Sequence, residues 1–401
     1  MSTPSSVIRQ GPSGEGRALV VLVHFSFVLT GVVNTLLGPV LPALSARWHL
    51  SDAQAGYFFT AQFLGSIAGV ILTGVLFPRR GFRLSLMFGY MLMAVGLNSL
   101  ASPEWKFALF GTCALGLGLG FAIPASNLLV SSINPGRRAA ALSALNFCWG
   151  AGAVLAPWAV SLAEDRSVLW PSLTVFAGSL LLVALLMMAV RSALSTPERH
   201  AGSLWQNSGH WQLAVAIAIM FFLYVGTESA LGGWLAALMQ RLPESRPSLW
   251  FRAPSIFWGG LLLGRGVAPW VLRRLRERNL ASMGLTAAAA AITVLVLARS
   301  TSWIMIAAGI AGLGLAPVFP ICVALLAHFG VMELRIGGPM FAFAGLGGAV
   351  VPWMVGAVST SSGSLQIGLI LPLAANVLLL AVYSLNVPRL LGATSLVEEQ
   401  P

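Results

Sequence analysis

The chain has 401 residues, of which 57% are hydrophobic and only 9% charged, with a formal net charge of +11. A soluble domain carries roughly 25% charged residues, so this chain cannot cover its outer surface with charge and a water-soluble fold is excluded. The basic balance does not point to nucleic acid, because the arginines cluster between apolar runs, where membrane proteins keep them.

Residues 1–17 are polar and rich in Ser, Pro and Gly, too poor in apolar side chains for a signal peptide. They predict a disordered cytoplasmic tail. Twelve apolar stretches follow, each near the roughly 20 residues needed to cross a hydrocarbon core. They run over 18–45, 53–77, 82–101, 106–133, 138–162, 168–191, 211–240, 248–272, 280–299, 302–329, 335–359 and 364–387. The longest polar stretch, 192–210, predicts a cytoplasmic linker between two six-helix bundles, 18–191 and 211–387. Residues 388–401 predict a second cytoplasmic tail. Ser51 and Asp52 read as a helix cap before the second span.

Polar side chains inside the spans are few, and each has a functional and a bland reading. In the first span Gly31, Asn34, Thr35 and Gly38 share a face of small and amide residues, with Asn34 the candidate for substrate binding. Gln62, Asn127, Asn146 and Asn376 are amides in the second, fourth, fifth and twelfth spans. Trp149, Trp234 and Trp258 offer flat aromatic surfaces. Taken singly, each reads first as a packing or interhelical contact; taken together, the amides and aromatic rings favour a neutral polar ligand. His24 reads as a packed neutral histidine or a proton relay. Of the twelve carboxylates, Glu228 alone lies well inside a span, where a charge costs roughly 3 kcal/mol on insertion scales. It predicts a proton carrier facing protein or water, or else a structural hydrogen bond. Tyr224 lies one turn earlier on the same face and predicts a substrate contact or a support for the carboxylate. Arg265, the one basic residue within a span, reads as part of a gate. Cys113, Cys148 and Cys322 lack metal-ligand spacing and read as apolar fillers. No metal and no other cofactor is expected.

The second half repeats the first. Gly31, Gly38, Gly65 and Gly69 fall on Gly226, Gly233, Gly260 and Gly264 at an offset of 195. At 196, Gly116, Gly118 and Pro124 fall on Gly312, Gly314 and Pro320. An apolar chain of two matching halves predicts an all-α membrane protein with pseudo-symmetric bundles and a site between them. Counting Lys and Arg by side gives 15 on the face that carries the termini and 7 on the other. The excess predicts cytoplasmic termini and the cell (inner) membrane.

The loop after the second span holds Gly74, Pro78, Arg79, Arg80, Gly81, Phe82 and Arg83. It resembles the signature loop of the major facilitator superfamily, with Pro78 in place of the usual acid. Tyr224, Gly226, Thr227, Glu228, Gly232, Gly233 and Trp234 resemble the seventh helix of that superfamily's fucose-permease and glucose-transporter-like branch. Asn146, Trp149, Gly150 and Phe257 to Gly260 add to the likeness. The resemblance implies twelve helices that rock about a central site, with Arg79 and Arg83 at the cytoplasmic gate. It departs in three ways. The fifth span lacks the glycine–proline pair of drug–proton antiporters, the fourth lacks their arginine, and the first and fourth lack the branch's acids.

The leading reading is a secondary active transporter of a small neutral polar, sugar-like metabolite, coupled to protons through Glu228. Its partners would be the solute, protons and membrane lipid, with no nucleic acid, and it would act as a monomer. The alternative is an exporter of amphipathic or cationic compounds, for which Glu228 supplies the counter-charge. A sensor or a lipid-flipping protein is a third reading. An enzyme is disfavoured, since no nucleophile–base set is visible in the spans.

Overall fold

The computed structural model describes residues 14–76, 81–134, 137–189, 211–243, 247–328 and 337–395. The first half contributes α1 (Gly14–Trp48), α2 (Asp52–Leu76), α3 (Gly81–Ser99), α4 (Trp105–Ile133), α5 (Arg138–Asp165) and α6 (Leu169–Ala189). The second contributes α7 (Trp211–Gln240), α8 (Pro247–Trp250), α9 (Arg252–Val271), α10 (Glu277–Leu297), α11 (Thr301–Leu315), α12 (Val318–His328), α13 (Gly337–Ser362), α14 (Leu365–Gly368) and α15 (Ile370–Ser395). Ten helical segments are long and apolar enough to cross a membrane, and α3 and α9 complete twelve. The linker 192–210 lies outside the described residues.

Helices are forced here because lipid offers no partner for a backbone N–H or C=O. Three predicted spans are broken rather than continuous. The tenth splits into α11 and α12 at Pro317, which has no N–H to donate, and a new helical register begins with the Ile321 N–H on the Pro317 carbonyl. Its counterpart α4 keeps Pro124 and stays whole. The eighth begins as the short α8 and bends at Phe251. The twelfth begins as α14 and resumes at Ile370, with Pro372 in the first turn, where a missing N–H costs nothing. Two ends also differ: α1 reaches back to Gly14 and α15 runs on to Ser395, so both expected tails are partly helical.

The halves pack alike. In the first, α2 and α3 lie on α4, α1 lies on α5 and α3 on α6; in the second, α9 and α10 lie on α11, α7 lies on α13 and α10 on α15. The contacts that permit this are backbone to backbone at glycine. A Cβ on Gly65 would stand 2.1 Å from the Cys113 carbonyl oxygen, and one on Gly260 2.4 Å from that of Gly309. Both partners match at the offsets already read from the sequence. Gly116 meets the Gln62 carbonyl and Gly312 that of Phe257 in the same way. Lipid tails are as apolar as Leu, so close approach at small residues, not hydrophobic burial, holds such helices together.

Between the halves, α2 packs on α13, α5 on α8 and α9, and α1 on α7. The first two seams exchange under the pseudo-twofold and the third maps onto itself, as an isologous interface requires. Outward, Phe25, Ile71, Phe110, Val175 and Leu263 are exposed, with Trp270 and Trp303 near opposite ends of their spans. This is a lipid-facing belt with aromatic residues toward its margins.

Because its Cβ would sit 1.9 Å from the Gln62 carbonyl oxygen, Gly116→Ala is expected to cost about 1–3 kcal/mol. Gly178→Ala, with nothing within 4 Å of the added carbon, should leave thermal unfolding of the purified protein unchanged. Equal melting of the two variants would contradict the packing account.

Candidate substrate and coupling site

The site forms where α7 and α9 of the second half meet α5 of the first. Helical spacing places Tyr224 and Glu228 on one face of α7, and Trp258 and Arg265 on one face of α9 two turns apart. Glu228 is only 9% exposed. Its Oε1 lies 3.5 Å from Arg265 Nη2, and the same Nη2 donates to the Tyr224 hydroxyl at 3.4 Å. Tyr224 is fully buried against Phe319. The Arg265 guanidinium carbon stands 5.9 Å from the centre of the Trp149 ring across the bundle interface. Trp149 and Trp258 meet edge to face at 5.8 Å. Trp258 seats against Gly232, where any Cβ would come within 2.5 Å of its ring. The two bundles therefore share this cluster.

Arg265, read from the sequence as a gate residue, also pairs with the buried acid. A guanidinium is long enough to reach a carboxylate on the neighbouring helix, and in a membrane pairing there is cheaper than standing alone. Both ionic contacts are long, and the set is only partly satisfied. The Glu228 Oε1, Arg265 Nε, Trp258 Nε1 and Thr227 Oγ1 atoms are buried with no hydrogen-bond partner among the described residues. Thr227 was missed by the sequence reading, and its only signal was its place beside Glu228. Two unpaired N–H donors and one carboxylate oxygen in an apolar interior are costly unless something meets them. Such a set can bind a solute that offers oxygen acceptors and hydroxyl donors, and can exchange a proton at Glu228.

The other expected residues have their own partners. Gln62 Nε2 donates to the Asn34 backbone oxygen at 3.0 Å and approaches its Oδ1 at 3.4 Å, joining α1 to α2. The Asn127 amide donates to the Ile123 carbonyl at 2.9 Å and the Asn146 amide to Leu142 at 2.8 Å, each within its own helix. Asn376 is fully buried and donates to the Leu285 carbonyl of α10 at 2.9 Å. Trp234 donates to the Pro352 carbonyl at 2.9 Å and joins α7 to α13. His24 is bonded to the Val20 carbonyl of its own helix at 2.8 Å. Arg83 donates to the Met188 carbonyl, tying α3 to α6, and Arg79 lies outside the described residues. The helix cap is a reciprocal pair between Ser51 and Gln54, so Asp52 is freed for an ion pair with Arg241.

The profile of the Major Facilitator Superfamily matches residues 23–335. The chain belongs to the major facilitator superfamily. It is a multi-pass membrane transporter and not an enzyme. An uncharacterized transporter of Bacillus subtilis, YycB, is 24% identical over 242 residues, which cover 55% of this chain and 59% of that protein. A human sodium-dependent glucose transporter is 21% identical over 394 residues, covering 88% and 76%. Among solved structures, a D-xylose–proton symporter superposes with a TM-score of 0.75 at 16% identity, covering 90% of this chain and 97% of that one. The transporter FucP in its outward conformation gives 0.63 at 18%, covering 92% and 98%. At these identities the structures establish the fold.

Removing one member of a buried ion pair strands the other, at a cost of about 3–5 kcal/mol. Arg265→Leu should therefore lower the melting temperature sharply, and the double change Arg265→Leu with Glu228→Leu should recover most of it. Equal destabilisation by single and double variants would show that the pair is not coupled.

Proposed function

We propose that this transporter carries a small neutral polar solute, sugar-like in its hydroxyl pattern, and couples that movement to protons through Glu228. The observation that carries the reading is the buried Glu228–Arg265 pair beside the unpaired N–H groups of Trp258 and Arg265. Hydroxyls of a polyol supply acceptors for those donors and a donor for the Glu228 oxygen. The Trp149–Trp258 edge supplies an apolar wall for C–H faces. The glucose-transporter and xylose-symporter names of the similar proteins support the same class.

Protonation of Glu228 removes the charge that holds Arg265, and deprotonation restores it. The cluster bridges both bundles, so its two states bias the rocking of one half against the other, which is alternating access. The charge asymmetry of the loops supports cytoplasmic termini and a place in the cell (inner) membrane. The pairing of Glu228 with Arg265 also weighs against a cationic drug as the cargo, because the acid already has its counter-charge.

In proteoliposomes, a panel of sugars and polyols should include one that drives proton uptake. Glu228→Gln should abolish accumulation against a gradient while leaving counterflow exchange, because the amide keeps the shape. Accumulation by the variant with unchanged pH dependence would exclude Glu228 as the proton carrier. Trp258→Phe keeps an aromatic face but removes the N–H and part of the buried indole, so it should weaken apparent affinity roughly tenfold for the lost hydrogen bond and lower the melting temperature modestly; unchanged affinity would exclude the N–H as a solute contact.

A further inference from the structure

The two seams between the bundles are related by pseudo-symmetry but are not held alike. On the seam of α2 with α13, Asp52 faces two partners. Arg241, at the end of α7, reaches its two carboxylate oxygens at 2.5 and 2.7 Å, and the Ser359 hydroxyl of α13 donates at 2.5 Å. Alongside, the Ala53 N–H donates to Thr360 Oγ1 at 2.8 Å and Thr60 Oγ1 to the Ala349 carbonyl at 2.8 Å. Asp52 is mostly buried and Arg241 partly exposed. At the 195-residue offset, the positions matching Asp52, Arg241 and Ser359 on the other seam are Pro247, Ala46 and Glu164. That seam is joined instead by Ser255 on the Val154 carbonyl, Leu262 on Gly150 and the two tryptophans.

The connectivity of the helices puts Asp52, Arg241 and Ser359 on the side away from the termini. We propose that these three residues form a one-sided ion latch that holds the bundles closed on that side. Nothing local demands the arrangement. The cap of α2 is completed by Ser51 and Gln54, so Asp52 is not needed there. A bidentate Arg–carboxylate pair is the strongest of such contacts and the most specific in direction. It joins residues 189 positions apart that lie in different bundles, so it exists only while the bundles touch on that side. Opening this side must break it. The latch sets the balance between the two access states, independently of which solute is carried.

The test uses the full chain with Cys113, Cys148 and Cys322 replaced by Ala. One reporter is a cysteine pair at Ala53 and Thr360 on the latched seam, and the other a pair at Val154 and Ser255 on the second seam. Rates of cross-linking by a short bifunctional thiosulfonate are read in detergent without substrate. Asp52→Asn and Arg241→Gln should each slow cross-linking at both seams, by roughly three- to tenfold for a bidentate, half-buried pair. Slowing at both seams marks opening of the bundles. Slowing at the first seam alone marks local fraying and overturns the proposal, as do unchanged rates at both. Arg241 ends its helix at the surface, so Arg241→Gln keeps the test decisive should Asp52→Asn fail to fold, with gel filtration as the folding check.

Discussion

The arrangement of this protein depends on how closely its helices approach. In lipid no hydrophobic force pulls one apolar helix onto another, so backbones must come near enough for dispersion and weak C–H contacts to count. Glycine permits that at Gly65, Gly116, Gly260 and Gly312, where a single added carbon would stand 1.9 to 2.4 Å from a carbonyl oxygen. These contacts join α2 to α4 and α9 to α11, and the halves are alike because the glycines recur. Everything else, including the charged cluster between the bundles, hangs on a scaffold whose tolerances are set by missing side chains.

That scaffold makes the placement of polar groups meaningful. Several amides of the spans are spent on structure: Asn127 and Asn146 on their own helices, Asn376 on α10 and Gln62 on α1. Such bonds remove the cost of polar atoms in an apolar setting. Single unpaired atoms remain elsewhere, as at Asn376 Oδ1 and Trp353 Nε1, but the Glu228 cluster differs because its unpaired atoms belong to both members of a buried ion pair and to the adjoining Trp258. A membrane interior exacts a cost for that surplus, and a structural role alone gives no reason to keep it. An incompletely paired carboxylate and guanidinium at the bundle interface is the physical ground for locating the proposed transport site at Glu228, Arg265, Trp149 and Trp258.

Much of the fold was legible because the membrane reduces it to two signals, apolar length and a repeat. The offset of 195 residues between glycines foretold two matching halves, and the structure adds which helices touch, with Gly65 on Cys113 in one half and Gly260 on Gly309 in the other. What sequence could not show was where helices break and where long side chains reach. Pro317 splits the tenth span, while Pro124 and Pro320 sit inside helices, and nothing in the residues alone ranks them. Arg265 was placed at a gate because its position along α9 is off-centre. Its side chain spans more than a helical turn, and only the packing of α9 on α7 reveals that it meets Glu228. Asp52 was hidden for a related reason: the sequence beside Ser51 reads as a cap, and its true partners lie 189 and 307 residues away.

The seventh helix unites these features. Along α7 stand Tyr224 and Glu228 in the charged cluster, Gly232 beneath Trp258, and Gly233 against Phe59. Trp234 follows on the Pro352 carbonyl, and Arg241 on Asp52. From Glu228 to Arg241 is thirteen residues, or about 20 Å at 1.5 Å per residue. Gly38 of α1 packs on the backbone of Gly232 and Gly233 midway between them, so α7 has a pivot with the proposed proton site on one side and the proposed latch on the other. A packed helix does not bend continuously between such points, because its contacts are either made or broken. Under the two proposals, a small shift of α7 at Glu228, produced by losing or regaining Arg265, would reach Arg241 along this one helix. In this scheme the chemistry of one buried carboxyl and the closure of the far side are two ends of a single lever.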